Sequence, residues 1–84
     1  MNAIFSATLN TFLAHSQERG LELLEGDKKF IQCKCRGLGQ EALKRVLNGY
    51  FTAWQSAAKF EQLPSKKQNA GRRAANIYLD SVLS

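Results

Sequence analysis

Apolar residues recur at helical spacing in three stretches of the chain and follow a different rhythm in a fourth. In the first stretch Phe5, Leu9, Phe12, Leu13 and Ser16 succeed one another at intervals of three and four. The spacing predicts a helix over 2–19, N-capped by Asn2, with Arg19 in its last turn and Gly20 placed to take the left-handed conformation that ends helices. The clearest pattern covers 39–62. There Leu43, Val46, Leu47, Tyr50, Phe51, Trp54, Ala57 and Ala58 form one stripe, opposite Glu41, Lys44, Arg45, Asn48, Thr52, Gln55, Lys59 and Gln62. Gly49 interrupts that helix at a cost of about 1 kcal/mol against Ala, which implies a close neighbour beside Tyr50. Leu63-Pro64 ends it. Ser65, with Gln68 three positions on, matches a capping box, so a last helix is expected over 66–82.

The fourth stretch is "LELLEGDKKFIQCKCR", residues 21–36. Gly26-Asp27 is a turn pair. After it Ile31, Cys33 and Cys35 alternate with Phe30, Gln32, Lys34 and Arg36, which predicts a β-hairpin with its loop around Glu25 to Lys28. Continuation of the first helix through Leu21, Leu23 and Leu24 is the competing reading. The expected fold is therefore mainly α: one small three-helix domain over 1–84 with a short β-hairpin between helices one and two, in the order α-β-β-α-α.

The last helix has a narrow polar stripe of Gln68, Arg72, Arg73, Asn76 and Asp80 and is apolar over most of its circumference. Such a helix must be buried on more than one side, and three helices cannot enclose one of their own number. A homo-oligomer joined through Ala74, Ile77, Tyr78, Leu79 and Val82 is expected. Size points the same way. A chain of 84 residues buries a small share of its surface, and its two cysteines are too close in sequence to close a useful loop.

A hydrophobic content of 44% suits a folded core rather than a disordered chain. No apolar run reaches the length of a membrane span. The N-terminal stretch lacks a basic segment and is broken by Ser6, Thr8, Asn10 and Thr11, so it reads as a helix and not a signal peptide. With cysteines that look unpaired, this points to the cytoplasm.

Candidate chemistry is sparse. On a strand, Cys33 and Cys35 share a face with Ile31, while Lys34 and Arg36 lie opposite. Core packing is the expected role for both thiols, since redox pairs usually have two intervening residues and zinc needs more ligands than two Cys and one His supply. Spacing places no nucleophile beside His15, and the acids are scattered. "RGLGQE" lacks the lysine of a P-loop and the full dinucleotide fingerprint. No catalytic residue, metal or cofactor is expected, and the chain reads as a non-enzyme.

The net charge is +5, and most of it sits in Lys59, Lys66, Lys67, Arg72 and Arg73, opposed in that segment only by Glu61. Lys66 and Lys67 fall in the first turn of a helix, where the macrodipole disfavours cations, so the cluster is expected to have a use. One use is DNA. "QLPSKKQNAGRRAAN" joins two helices by a short turn and opens the second with residue types that contact phosphates and bases. In outline this resembles a helix-turn-helix, which implies a DNA-binding transcriptional regulator acting through 59–73. The long preceding helix and the apolar later faces of the second depart from that motif. The preferred use is protein binding, because aromatic and Arg side chains anchor interfaces. Trp54, Tyr78, Lys59, Lys66, Lys67, Arg72 and Arg73 are the candidate partner-binding residues. A small, basic, aromatic-rich helical chain without catalytic groups has the character of phage and mobile-element antirepressors and inhibitors. Its charge has the wrong sign for imitating DNA.

Overall fold

A computed structural model of the chain describes residues 3–83, and side chains over 7–83. Four α-helices follow in order: α1 Ala3–His15, α2 Glu25–Lys34, α3 Gln40–Phe60 and α4 Lys67–Val82, the last entered through a 3₁₀ turn at Pro64–Lys66. Among the described residues there is no strand, so the predicted hairpin over 21–36 is corrected to an extended segment and a helix.

Three signals account for α2. Glu25 and Asp27 lie in its first turn and Lys34 in its last, each on the side the helix dipole favours. Asp27, three residues after the extended N-cap Leu24, accepts the Leu24 N–H on Oδ2 at 3.0 Å, satisfying a donor the helix end leaves open. Asp27, Ile31 and Cys35 are buried at intervals of four. Ile31 and Cys35 fit that period as well as they fit alternation. Cys33, which only a strand would place with them, is exposed. The helix-extension reading fails too. Gly20, at φ +88°, turns the chain out of α1, and residues 21–24 run without helical structure. The predicted first helix thus stops at His15 rather than 19, and its proposed Asn2 cap lies outside the described residues.

α3 and α4 form an antiparallel helical hairpin. Moving forward along α4, Lys67 meets Ala58, Gly71 meets Trp54, Asn76 meets Tyr50 and Tyr78 meets Gly49. Two glycines make the approach possible: a Cβ at Gly71 would overlap the Trp54 indole, and one at Gly49 the Tyr78 phenol. The close neighbour that Gly49 implies is therefore Tyr78. Trp54 and Tyr50 are the largest fully buried side chains. Their rings lie 6.1 Å apart, and Phe12 brings α1 edge-on to Tyr50 at 6.3 Å. Leu9, Leu21, Leu43, Leu47, Ala75 and Leu79 complete the core with Ile31 and Cys35.

α2 supplies the second cover for α4, through Asp27 to Arg72 and Lys34 to Asp80 at 2.6 Å. These contacts engage Arg72 and Asp80, on the polar stripe of α4, and not the face expected to form a subunit interface. Of the five residues assigned to it, Leu79 is core. Tyr78 is half-buried over Gly49, and Ala74 is half-buried. Ile77 and Val82 face outwards, 60% and 49% exposed. The capping box at Ser65 and Gln68 does not form, because Lys66 occupies the N-cap position. The Gln68 amide instead ties three segments: Oε1 accepts from Glu22 N at 3.1 Å and Trp54 Nε1 at 3.2 Å, and Nε2 donates to Gly20 O at 3.0 Å.

Candidate functional site

The basic segment 59–73 divides into cations that build the fold and cations that face solvent. Arg72 is wholly engaged. Its Nε donates to Asp27 Oδ2 at 2.7 Å, Nη1 to Asn69 Oδ1 at 2.6 Å and Nη2 to Glu22 O at 2.8 Å, and the guanidinium lies 5.3 Å from the centre of a Trp54 ring. The pair is largely desolvated, at 18% side-chain exposure for Arg72 and 7% for Asp27. The other Asp27 oxygen accepts from Asn76 Nδ2 at 3.2 Å, and Asn76 Oδ1 accepts from the Tyr50 hydroxyl at 2.8 Å. Burial, reinforced by the Asp27 charge and opposed by Arg72, pushes the Tyr50 phenol above its ordinary range, so it stays a donor. A buried polar network costs little only when each member has a partner, and this chain of contacts meets that condition.

Lys67 is engaged as well. Its Nζ donates to Ala58 O at 2.9 Å and Glu61 O at 2.7 Å, at the C-terminal end of α3, where Ala58 O also accepts the Glu61 N–H at 3.3 Å. The unfavourable place of this cation in the first turn of α4 is offset by a favourable one at the end of α3. Trp54 is 1% exposed and faces α4.

Lys59, Lys66 and Arg73 remain. All are exposed, and none has a carboxylate partner among the described residues. Lys66 and Arg73 line a shallow cleft of ≈ 480 Å³ along α4, with Ala70, Ala74, Ile77 and Glu61. Phe60 and Leu63, in sequence on either side of Glu61, are 78% and 52% exposed. Sequence reasoning named Ile77 but missed Phe60 and Leu63. Their signal is that both fall off the α3 stripe, which ends at Ala58.

The helix pair departs from a helix-turn-helix. There the helices cross at about 90–120°, whereas α4 runs back along α3, and Lys67, Gln68 and Arg72 turn into the protein. The two cysteines also separate. Cys35 is buried, with its thiol pushed up to about 11 by desolvation, while Cys33 is exposed. Core packing therefore describes Cys35 and not Cys33. Among the described residues no group of three or more His, Cys, Asp or Glu could hold a metal ion. None of the described helices is long and apolar enough to cross a membrane. Comparison with protein-family models, with curated proteins and with solved structures finds no match.

Proposed function

We propose that the chain is a non-enzymatic regulator that works in the cytoplasm by binding another protein, in the manner of phage and mobile-element antirepressors and inhibitors. Its binding face is the outer side of the α3–α4 hairpin at the connecting turn: Phe60, Leu63 and Ile77, with Lys59, Lys66 and Arg73. The observation that carries this reading is the exposure of Phe60, Leu63 and Ile77, at 78%, 52% and 60%, beside cations that have no carboxylate partner among the described residues. Exposed large apolar groups bordered by charge are the mark of protein interaction sites. A nucleic-acid surface built on the same three cations would leave the apolar groups facing phosphates. Self-association through Ile77 and Val82 belongs to the same proposal.

The test is affinity capture from the source cell with wild-type protein and with Phe60→Asp and Ile77→Asp, each first shown to melt like wild type. A partner retained by wild type and lost by both variants agrees with the reading. Light scattering on the same proteins reports whether Ile77 also joins copies of the chain. Tight, salt-sensitive binding to one short duplex, abolished by Arg73→Ala and untouched by Phe60→Asp, would replace it with DNA recognition.

A further inference from the structure

A second concavity lies away from that face, between α1 and α3. It measures ≈ 260 Å³ and is lined by Phe12, His15, Arg19, Lys44, Leu47 and Asn48 together with Thr8 and Thr11, and no carboxylate lines it. Its base is apolar, from Phe12 and the buried Leu47. Its basic side chains come from three separate elements: His15 from the end of α1, Arg19 from the turn that follows, and Lys44 from α3.

Arg19 is positioned but not neutralised. Its guanidinium lies 4.9 Å from the centre of the Phe51 ring, its carbonyl accepts from Gln55 Nε2 at 3.1 Å, and no acid pairs with it among the described residues. A cation held on an aromatic face keeps its hydrogen-bond donors for another partner. Lys44 is likewise without an ion pair. His15 Nδ1 lies 3.0 Å from Glu18 Oε2, which orients the ring and leaves Nε2 without a hydrogen-bond partner among the described residues. Two permanent positive charges and an imidazole around an apolar base, with no acid in the lining, complement one anionic group attached to a small apolar body.

We infer that the α1–α3 cleft binds a small organic anion. Its carboxylate or phosphate is taken by Arg19 and Lys44, and its apolar body lies on Phe12 and Leu47. The volume limits the ligand to the size of a substituted ring. Because the cleft joins α1 to α3, the ligand also fastens α1, which is otherwise held by Leu9, Phe12 and the 2.7 Å hydrogen bond from Gln40 Nε2 to Thr8 Oγ1.

Amide-resolved NMR titration of the full chain tests this, with phenyl phosphate and benzoate as probes and inorganic phosphate and benzyl alcohol as controls. Saturable shifts at Thr11, Lys44 and Asn48, and a melting temperature that rises with probe concentration, are expected from one or both anionic probes. Which of the two binds more tightly identifies the head group. Arg19→Ala and Lys44→Ala should each weaken binding about tenfold, while Phe60→Asp, on the other face, should leave it unchanged. Both cationic side chains are exposed, so the variants should keep the wild-type far-UV spectrum. The inference is overturned by failure of both anionic probes to saturate at about 10 mM, by binding indifferent to both substitutions, or by equal binding of either control.

Discussion

Replacing Gly71 with Ala should destabilise the protein, although Ala is the better helix former. The propensity gain is about 1 kcal/mol. Against it, the new methyl overlaps the Trp54 indole at Cδ1 and Cγ as well as Nε1, near the ring's attachment and not at a flexible tip. That ring has no room to retreat. It is 1% exposed, its Nε1–H is bonded to Gln68, Arg72 lies over one face, and Tyr50 packs 6.1 Å away. Overpacking costs about 1–3 kcal/mol, and with three ring atoms overlapped the upper half of that range applies, so the balance is a loss of about 1–2 kcal/mol. For a domain this size that lowers the melting temperature by about 5–15 °C. Two further glycines supply controls. Gly26 faces open space at an ordinary helical φ, so Gly26→Ala should stabilise by up to about 1 kcal/mol. Gly49 meets the hydroxyl end of the half-buried Tyr78, a group able to swing outwards, so Gly49→Ala should fall between the two. Circular dichroism melts and urea titrations followed by the fluorescence of Trp54 give the order. Gly71→Ala melting at or above wild type would show that the α3–α4 packing does not constrain position 71.

Two other outcomes follow from the buried groups. Asp27→Ala and Arg72→Ala should each cost about 3 kcal/mol, because each strands a desolvated charge, and the double variant should cost less than their sum; additive losses in urea titrations would mean the pair does not couple. Stability should also fall as pH rises from 9.0 to about 11, since an unfolded Cys35 thiol ionises near the lower value and the folded one near the upper, so the native state holds the extra proton across that window. Cys35→Ala should flatten this part of the profile, and an equally steep decline would exclude Cys35 as its source. In the folded protein iodoacetamide should label Cys33 alone, and two labels arriving together would contradict the burial of Cys35.

Helices α3 and α4 were legible because their apolar stripes are long enough to distinguish a period of 3.6 from a period of two. Residues 30–36 were not. Ile31 and Cys35 satisfy both periods, and the deciding residue was Asp27, whose reach back to the Leu24 N–H was hidden behind the turn-like pair Gly26-Asp27. That segment bears on α4 as well, because Asp27 and Lys34 of α2 pair with Arg72 and Asp80 of its polar stripe within the same chain. Ser65 and Gln68 failed for another reason. A local cap competes with long-range partners, and the Gln68 amide finds Trp54, Glu22 and Gly20, none of them local to it.

The basic segment shows why composition alone does not separate structural cations from free ones. Five cations within fifteen residues read as one patch, but their roles follow from what lies opposite each in the folded chain. Lys67 closes the end of α3, and Arg72 clamps α2 and the segment before it to α4. Arg72 and Arg73 are adjacent in sequence and differ in kind, because successive residues of a helix point about 100° apart. Loss of function on changing Lys67 or Arg72 would therefore report a loosened fold. Within this segment, Lys59, Lys66 and Arg73 are the positions at which a charge can be removed without removing an ion pair among the described residues, so there a binding defect speaks about a partner.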